Sequence, residues 1–109
     1  MDKKLKAKWI AALRSGDYKQ CHGFLYEGGG YCCLGVLQHV ITGKQPPARW
    51  DSNGSEGVPV EMHFLRQDER RLEIQLANMN DGKFQFQRSH SFAEIADWIE
   101  KNIPATRAR

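Results

Sequence analysis

The sequence contains no apolar run long enough to cross a membrane. Its longest apolar segment is Cys32–Leu37, whereas a membrane-spanning helix needs about 20 residues. The basic segment Met1–Lys6 is followed by neither an apolar stretch nor a small-residue cleavage site, so it does not fit an export signal. We therefore expect a cytoplasmic protein without a membrane partner.

Cysteine is scarce, and the number of cysteines is odd. The three are Cys21, Cys32 and Cys33. Adjacent cysteines can form a disulfide only through a strained ring. The pattern argues against a disulfide framework and favours reduced thiols, as in the cytosol.

The sequence also lacks a specific signature for a cofactor or a metal. Gly28–Gly30 is not followed by Gly-Lys-Ser/Thr, so we predict a turn rather than a phosphate-binding loop. Side chains of the types that bind zinc occur nearby, at Cys21, His22, Cys32 and Cys33. Successive residues of a strand point to opposite faces, so the two adjacent thiols are poorly placed for one ion. We predict no metal, no cofactor and no small-molecule ligand.

What the sequence does contain is enough apolar material for one folded domain. The chain has 109 residues, of which 40% are hydrophobic and 27% are charged. This length suits one domain and is too short for two independent cores. The apolar fraction excludes wholesale disorder, because burial can offset the chain entropy. We expect a single domain over residues 1–109, with residues 105–109 frayed.

Helical periodicity appears in four segments, which are 3–14, 34–41, 69–80 and 91–103. Each places apolar side chains on one face at a spacing of three to four residues. The last segment begins with a capping box formed by Ser91 and Glu94. Residues 70–78 also alternate in polarity, which leaves a strand as the alternative there.

The glycines at 28–30 predict the reversal of a small antiparallel β-hairpin. Together with the helical segments, this hairpin indicates a compact, helix-rich α+β domain. We expect the first and last helices to pack against the helix at 34–41. The short alternating segment 84–87 is predicted as a strand or an ordered loop edge.

Residues 44–59 combine three of the four prolines with several turn-forming residues, which predicts a long surface loop. Pro59 then introduces one or two helical turns over 60–65. Trp50 lies within the loop, and Trp98 lies at the edge of the apolar stripe of the last helix. Both are candidate contacts for a partner, although for Trp50 we favour packing back onto the core.

Positive charge is concentrated at the beginning of the chain. Although the net charge is only +3, residues 1–22 hold six cations and two Asp, a local excess of +4. The six are Lys3, Lys4, Lys6, Lys8, Arg14 and Lys19. Such a cluster attracts an acidic protein surface or phosphate. No zinc finger, KH or RRM signature accompanies it, so nucleic-acid binding is kept as a lesser alternative.

A thiol-dependent hydrolase is the enzymatic alternative. Either Cys33 or Cys32 would act as nucleophile at a helix N-terminus, where the helix dipole favours a thiolate. The candidate bases are His39, His63 and His90, and the candidate orienting groups are Asn78, Asn80 and Asp81. His39 would lie one to two helical turns from Cys33, too far for a direct hydrogen bond. We favour the competing interpretation, in which a buried cysteine acts as a small hydrophobe.

Four blocks of the sequence together resemble small proteins encoded by bacteriophages and prophages, a group without an assigned function. The blocks are WIAALRSGDYKQ at 9–20, YCCLGVL at 31–37, LANMND at 76–81 and SFAEIAD at 91–97. The resemblance follows the chain in order and leaves 44–59 and 82–90 as variable parts. It implies an accessory protein made during infection in the host cytoplasm, and it supplies no catalytic residues.

These observations lead to one functional prediction and two alternatives. The prediction is a non-enzymatic phage or prophage accessory protein that binds a host or phage protein. The expected contact residues are Lys4, Lys8, Trp50 and Trp98. The first alternative is a hydrolase that uses Cys33 or Cys32 with His90. The second is a nucleic-acid-binding protein.

Overall fold

The computed structural model describes residues 2–46, 71–83, 86 and 88–104. These residues form four helices and one three-stranded sheet. In chain order the elements are α1 (Lys3–Arg14), β1 (Lys19–Gln20), β2 (Tyr26–Glu27), β3 (Gly30–Tyr31), α2 (Cys33–Thr42), α3 (Arg71–Asp81) and α4 (Phe92–Asn102). The predicted helix-rich α+β class is therefore confirmed. None of the helices in this part of the chain is long and apolar enough to cross a membrane.

Helix α1 begins and ends where its local sequence indicates. The Asp2 carboxylate accepts a hydrogen bond of 2.9 Å from the backbone N–H of Leu5, which satisfies one of the free donors of the first turn. Trp9 and Leu13 are buried and fix the inward face. Gly16 follows the helix with a φ of 81°, a conformation that glycine adopts without steric cost.

The predicted hairpin is formed by β2 and β3. Gly28 and Gly29 connect the strands with φ values of 57° and 82°, and two positive φ angles are what a tight type I′ turn requires. The sequence did not reveal that β1 pairs in parallel with β3, with Lys19 opposite Gly30. The sheet is consequently mixed, in the order β1-β3-β2.

Helix α2 is the most buried helix of the described chain. Cys32 is its N-cap, and the Cys32 sulfur accepts a hydrogen bond of 3.3 Å from the backbone N–H of Gly35. Gly35 packs directly on the backbone carbonyl of Leu25, which leaves no room for a Cβ atom. The helix ends at Gly43, which has a φ of 70°. The helix predicted at 34–41 is thus confirmed, and it extends one residue further at each end.

For α3 the structure decides between a helix and a strand, and for α4 it differs from the packing that we expected. Residues 71–81 form a helix, so the strand alternative for 70–78 is wrong over this range. The Ser91–Glu94 capping box of α4 is present. Helix α4 packs chiefly against α1 and α3, whereas we expected it to lie on α2. The order of packing is α2 on α1, α1 on α4, and α3 between α2 and α4.

One hydrophobic core joins all four helices to the sheet. Its fully buried side chains include Trp9, Leu25, Leu34, Leu37, Leu76, Met79, Ile95 and Ile99. Several predictions fall outside the described residues. They are Trp50 and nearly all of the 44–59 loop, the helical turns at 60–65, most of 84–87, and the frayed segment 105–109.

Candidate functional site

The exposed lysines of α1 form the most distinctive charged surface of the described chain. Lys3, Lys4 and Lys8 are all exposed. Within the described residues the ion pairs involve only Arg14 and Arg88 as cations, so no carboxylate neutralises these three lysines. Their positive potential is therefore available to a partner.

A shallow, open groove of about 580 Å³ lies along α1 beside these lysines, and α4 contributes Glu100 to its lining. Its lining residues are Lys3, Lys6, Ala7, Ile10, Ala11, Arg14 and Glu100. Ala7 and Ala11 are exposed, and Ile10 is half-buried. The groove thus has an apolar floor and a charged rim, a combination that is common where proteins bind one another.

The lysines lie on both sides of the apolar row that Ala7 and Ala11 form. At about 100° of rotation per residue, Lys4 and Lys8 are displaced by about 60° to one side of this row. Lys3 is displaced by about 40° to the other side. Lys6 lies on that same side and reaches α4, where its Nζ donates a hydrogen bond of 3.2 Å to the carbonyl of Glu100.

The C-terminal end of the groove carries a different charge pattern. The Arg14 guanidinium donates hydrogen bonds of 2.7 Å to both Glu100 and Asp97. The bond to Glu100 and then that to Asp97 raise the pKa of Arg14. One cation therefore faces two carboxylates, and this end of the groove carries a net negative charge.

Trp98 does not belong to the groove. Its position on α4 is about 160° away from that of Glu100, which faces α1. The side chain is half-buried and packs against the core. Lys4 and Lys8 therefore share a surface with the groove, Trp98 lies on another side of α4, and Trp50 is outside the described residues.

The two adjacent thiols are in the core rather than at an accessible site. Cys33 is fully buried and Cys32 is 6% exposed. Burial raises the pKa of Cys32 to about 12 and that of Cys33 well above its usual value. The expectation that the helix N-terminus would favour a thiolate is therefore wrong for this structure, because loss of solvation outweighs the helix dipole.

The proposed partners of the thiols have other structural roles. Asn80 is fully buried, and its Oδ1 accepts hydrogen bonds from Gln20 Nε2 at 2.9 Å and from the backbone N–H of Cys33 at 3.2 Å. Its Nδ2 donates to the carbonyl of Cys21 at 2.8 Å. Asn80 thereby connects α3 with the sheet and with the first turn of α2.

The candidate histidines differ in their surroundings. His90 is half-buried with its ring against Phe86, and its buried Nδ1 has no hydrogen-bond partner among the described residues. His39 Nδ1 lies 2.6 Å from the Tyr18 hydroxyl. His63 is outside the described residues. Among the residues that the structure places, no group of three or more His, Cys, Asp or Glu side chains is arranged to hold a metal ion.

The structure also brings together an aromatic cluster that sequence reasoning missed. Tyr31 makes edge-to-face contacts with Tyr18 and Tyr26, with ring centroids 5.0 and 4.9 Å apart. His39 packs against the same ring at 5.8 Å. The only sequence signal was the number of tyrosines near the hairpin, because the parallel β1–β3 pairing that aligns them has no local signature.

Comparison with protein families assigns most of this architecture to one family. The family model described as a domain of unknown function (DUF8296) matches residues 1–73. This segment contains α1, the sheet and α2, whereas α4, which contributes Glu100 to the groove, follows it. Neither the curated proteins nor the solved structures contain a match to the chain. By the extent of the family match, the chain belongs to the DUF8296 family.

Proposed function

We propose that this chain is a non-enzymatic binding module whose partner is a protein. The observation that carries the proposal is the pairing of unneutralised lysines on α1 with an apolar groove directly beside them. The lysines attract an acidic surface at long range, and the apolar floor supplies area to bury once contact is made. A protein partner offers both properties.

The same surface is less suited to nucleic acid. Its floor is formed by Ala7, Ile10 and Ala11, whereas single-stranded nucleic acid is bound largely by stacking on aromatic side chains. Asp97 and Glu100 at one end would repel phosphates. These features favour an acidic protein over a nucleic acid as the partner.

The biological setting of the proposal rests on the resemblance to phage and prophage proteins. In that setting the chain is an accessory protein in the host cytoplasm that occupies a surface of a host or phage protein. The burial and raised pKa values of Cys32 and Cys33 speak against catalysis by these thiols.

A capture experiment with a charge-matched control tests this function. The tagged protein, the double variant Lys4→Glu/Lys8→Glu and the control Lys44→Glu/Lys83→Glu are incubated with nuclease-treated bacterial lysate. All four lysines are exposed, and the two double variants change the net charge equally. We expect a stoichiometric protein partner on the wild type and the control, and at least tenfold less on the α1 variant.

Binding kinetics then identify the cause of the loss. Charge reversal on a rim chiefly lowers the association rate, and the effect weakens as salt increases. Equal capture by all three proteins would place the interface elsewhere. Loss of all retained material on nuclease treatment would favour the nucleic-acid alternative.

A further inference from the structure

We propose that the α1–α4 groove binds an acidic amphipathic helix of the partner, with its apolar stripe on Ala7 and Ala11 and acidic residues on both flanks of that stripe. This inference rests on the proposed function and specifies the chemistry of the partner. It follows from the shape of the groove and from the positions of the charges around it.

The shape of the surface fits a helix. Helix α1 has 12 residues and is therefore about 18 Å long, or three turns. Ala7 and Ala11 are one turn apart on its exposed side. Their small side chains allow a second helix to approach to the usual interaxial distance of about 8–10 Å. Helices that bind such surfaces contact them through residues spaced i, i+3 or i+4, and i+7.

The charges specify what flanks the apolar stripe of the partner. Lys4 and Lys8 lie on one side of the alanine row, and Lys3 and Lys6 lie on the other. Within the described residues the Lys6 ammonium group donates a hydrogen bond to a carbonyl oxygen and forms no ion pair with a carboxylate. A helix lying along the row would therefore have lysines on both sides. Acidic residues on both flanks satisfy this arrangement, whereas basic flanks would be repelled.

The charge of the groove changes sign along α1, because the end near Arg14 differs from the end near Lys3. Arg14 is already paired with Asp97 and Glu100. The surface is thus positive near the beginning of α1 and slightly negative near its end. We infer that the acidic turns of the bound helix lie over the N-terminal half of α1, with a neutral or basic turn near Glu100.

A displayed library of helix-forming peptides tests the inference. The peptides have about 14 residues, so that each helix is slightly longer than α1. The peptides are selected on the full-length protein. We expect enrichment of sequences with an apolar stripe and acidic residues on both flanks, concentrated toward one end. Peptides without acidic enrichment would overturn the inference.

Two substitutions locate the bound peptide. Ala11→Trp places a large side chain in the groove, and Gln45→Trp places the same side chain on an exposed site outside it. The selected peptides should lose at least tenfold in affinity for the first variant and retain affinity for the second. Circular dichroism and urea unfolding confirm that both variants are folded. Equal affinity for wild type and Ala11→Trp would overturn the assignment to the groove.

A further comparison separates this inference from the proposed function. The captured lysate partner is tested against Ala11→Trp and against Lys4→Glu/Lys8→Glu. If the charge reversal abolishes capture while the groove variant does not, the protein-binding function stands and the helix-in-groove inference fails. If neither variant changes capture, both fail. If both reduce it and the selected peptide displaces the partner, both are supported.

Discussion

The indole Nε1 of Trp9 donates a hydrogen bond of 2.9 Å to the backbone carbonyl of Cys33. This bond connects the middle of α1 with the first turn of α2, at a site where Trp9 is fully buried. A buried indole N–H requires a partner, and here the partner also fixes how the two helices meet. The orientation of α1, and hence of its lysines, depends on this contact.

Trp9→Phe should lower the free energy of unfolding by about 1–3 kcal/mol, because it removes the hydrogen bond and part of the buried ring. Trp98→Phe is the matched control, since Trp98 is only half-buried. Urea unfolding of the three proteins measures the difference. A smaller loss for Trp9→Phe than for Trp98→Phe would contradict the central role of this contact.

Gly35→Ala should destabilise the protein by about 3 kcal/mol or more. Its Cβ would collide with the backbone carbonyl of Leu25, and neither backbone can yield without separating α2 from the hairpin. Gly16→Ala provides the contrast, because nothing lies near its Cβ and only the positive φ of 81° opposes it. That variant should cost about 1 kcal/mol. Thermal unfolding distinguishes the two, and similar losses would show that the close contact is unimportant.

Asn80→Ala should cost about 2–4 kcal/mol, because it removes the side-chain partner of the Cys33 N–H and of the Cys21 carbonyl and one of the two acceptors of the Gln20 amide. Asn78→Ala is the control, since the Asn78 side chain carries the same amide group but is only half-buried. Equilibrium unfolding in urea measures both variants. Hydrogen exchange should also accelerate at the Cys33 amide, and protection unchanged in Asn80→Ala would exclude the network described above.

Cys32 and Cys33 should resist alkylation in the native protein. With a pKa of about 12, Cys32 is thiolate to only about one part in ten thousand at pH 8. Cys21 is half-buried and should react with iodoacetamide before either of them. Mass spectrometry of the modified protein, native and in urea, gives the order. Rapid native labelling of Cys32 or Cys33 would restore the thiol-hydrolase alternative.

Glu94 should make stability depend on pH in the acid range. Hydrogen bonds from Arg88, and then from the Ser91 backbone, lower the pKa of Glu94 from 4.5 to about 2. The folded-state pKa is depressed, so this stabilisation is complete above about pH 4.5 and disappears as pH falls toward 2. The difference in Tm between wild type and Glu94→Gln should shrink over that window. A difference that stays constant from neutral pH down to about pH 2 would contradict this role of Glu94.

Much of the local structure was determined by the sequence alone. Capping groups, glycine stop signals and apolar periodicity act over a few residues, and they located α1, α2 and α4 nearly to their ends. The hairpin was also predictable, because consecutive glycines supply the two positive φ angles of its turn. The basic character of α1 and the half-burial of Trp98 followed from composition and helical geometry.

Tertiary structure decided everything that depends on contacts between distant segments. The parallel pairing of β1 with β3, and the packing of α4 on α1 rather than on α2, have no local signature. The groove combines α1 side chains with Glu100 of α4, which lies far from them in the chain. Likewise, only the assembled core shows that burial outweighs the effect of the helix N-terminus and raises the pKa of Cys32. The geometry of caps and turns depends on a few neighbouring residues, whereas the burial of a side chain and the shape of the surface depend on how the whole chain packs.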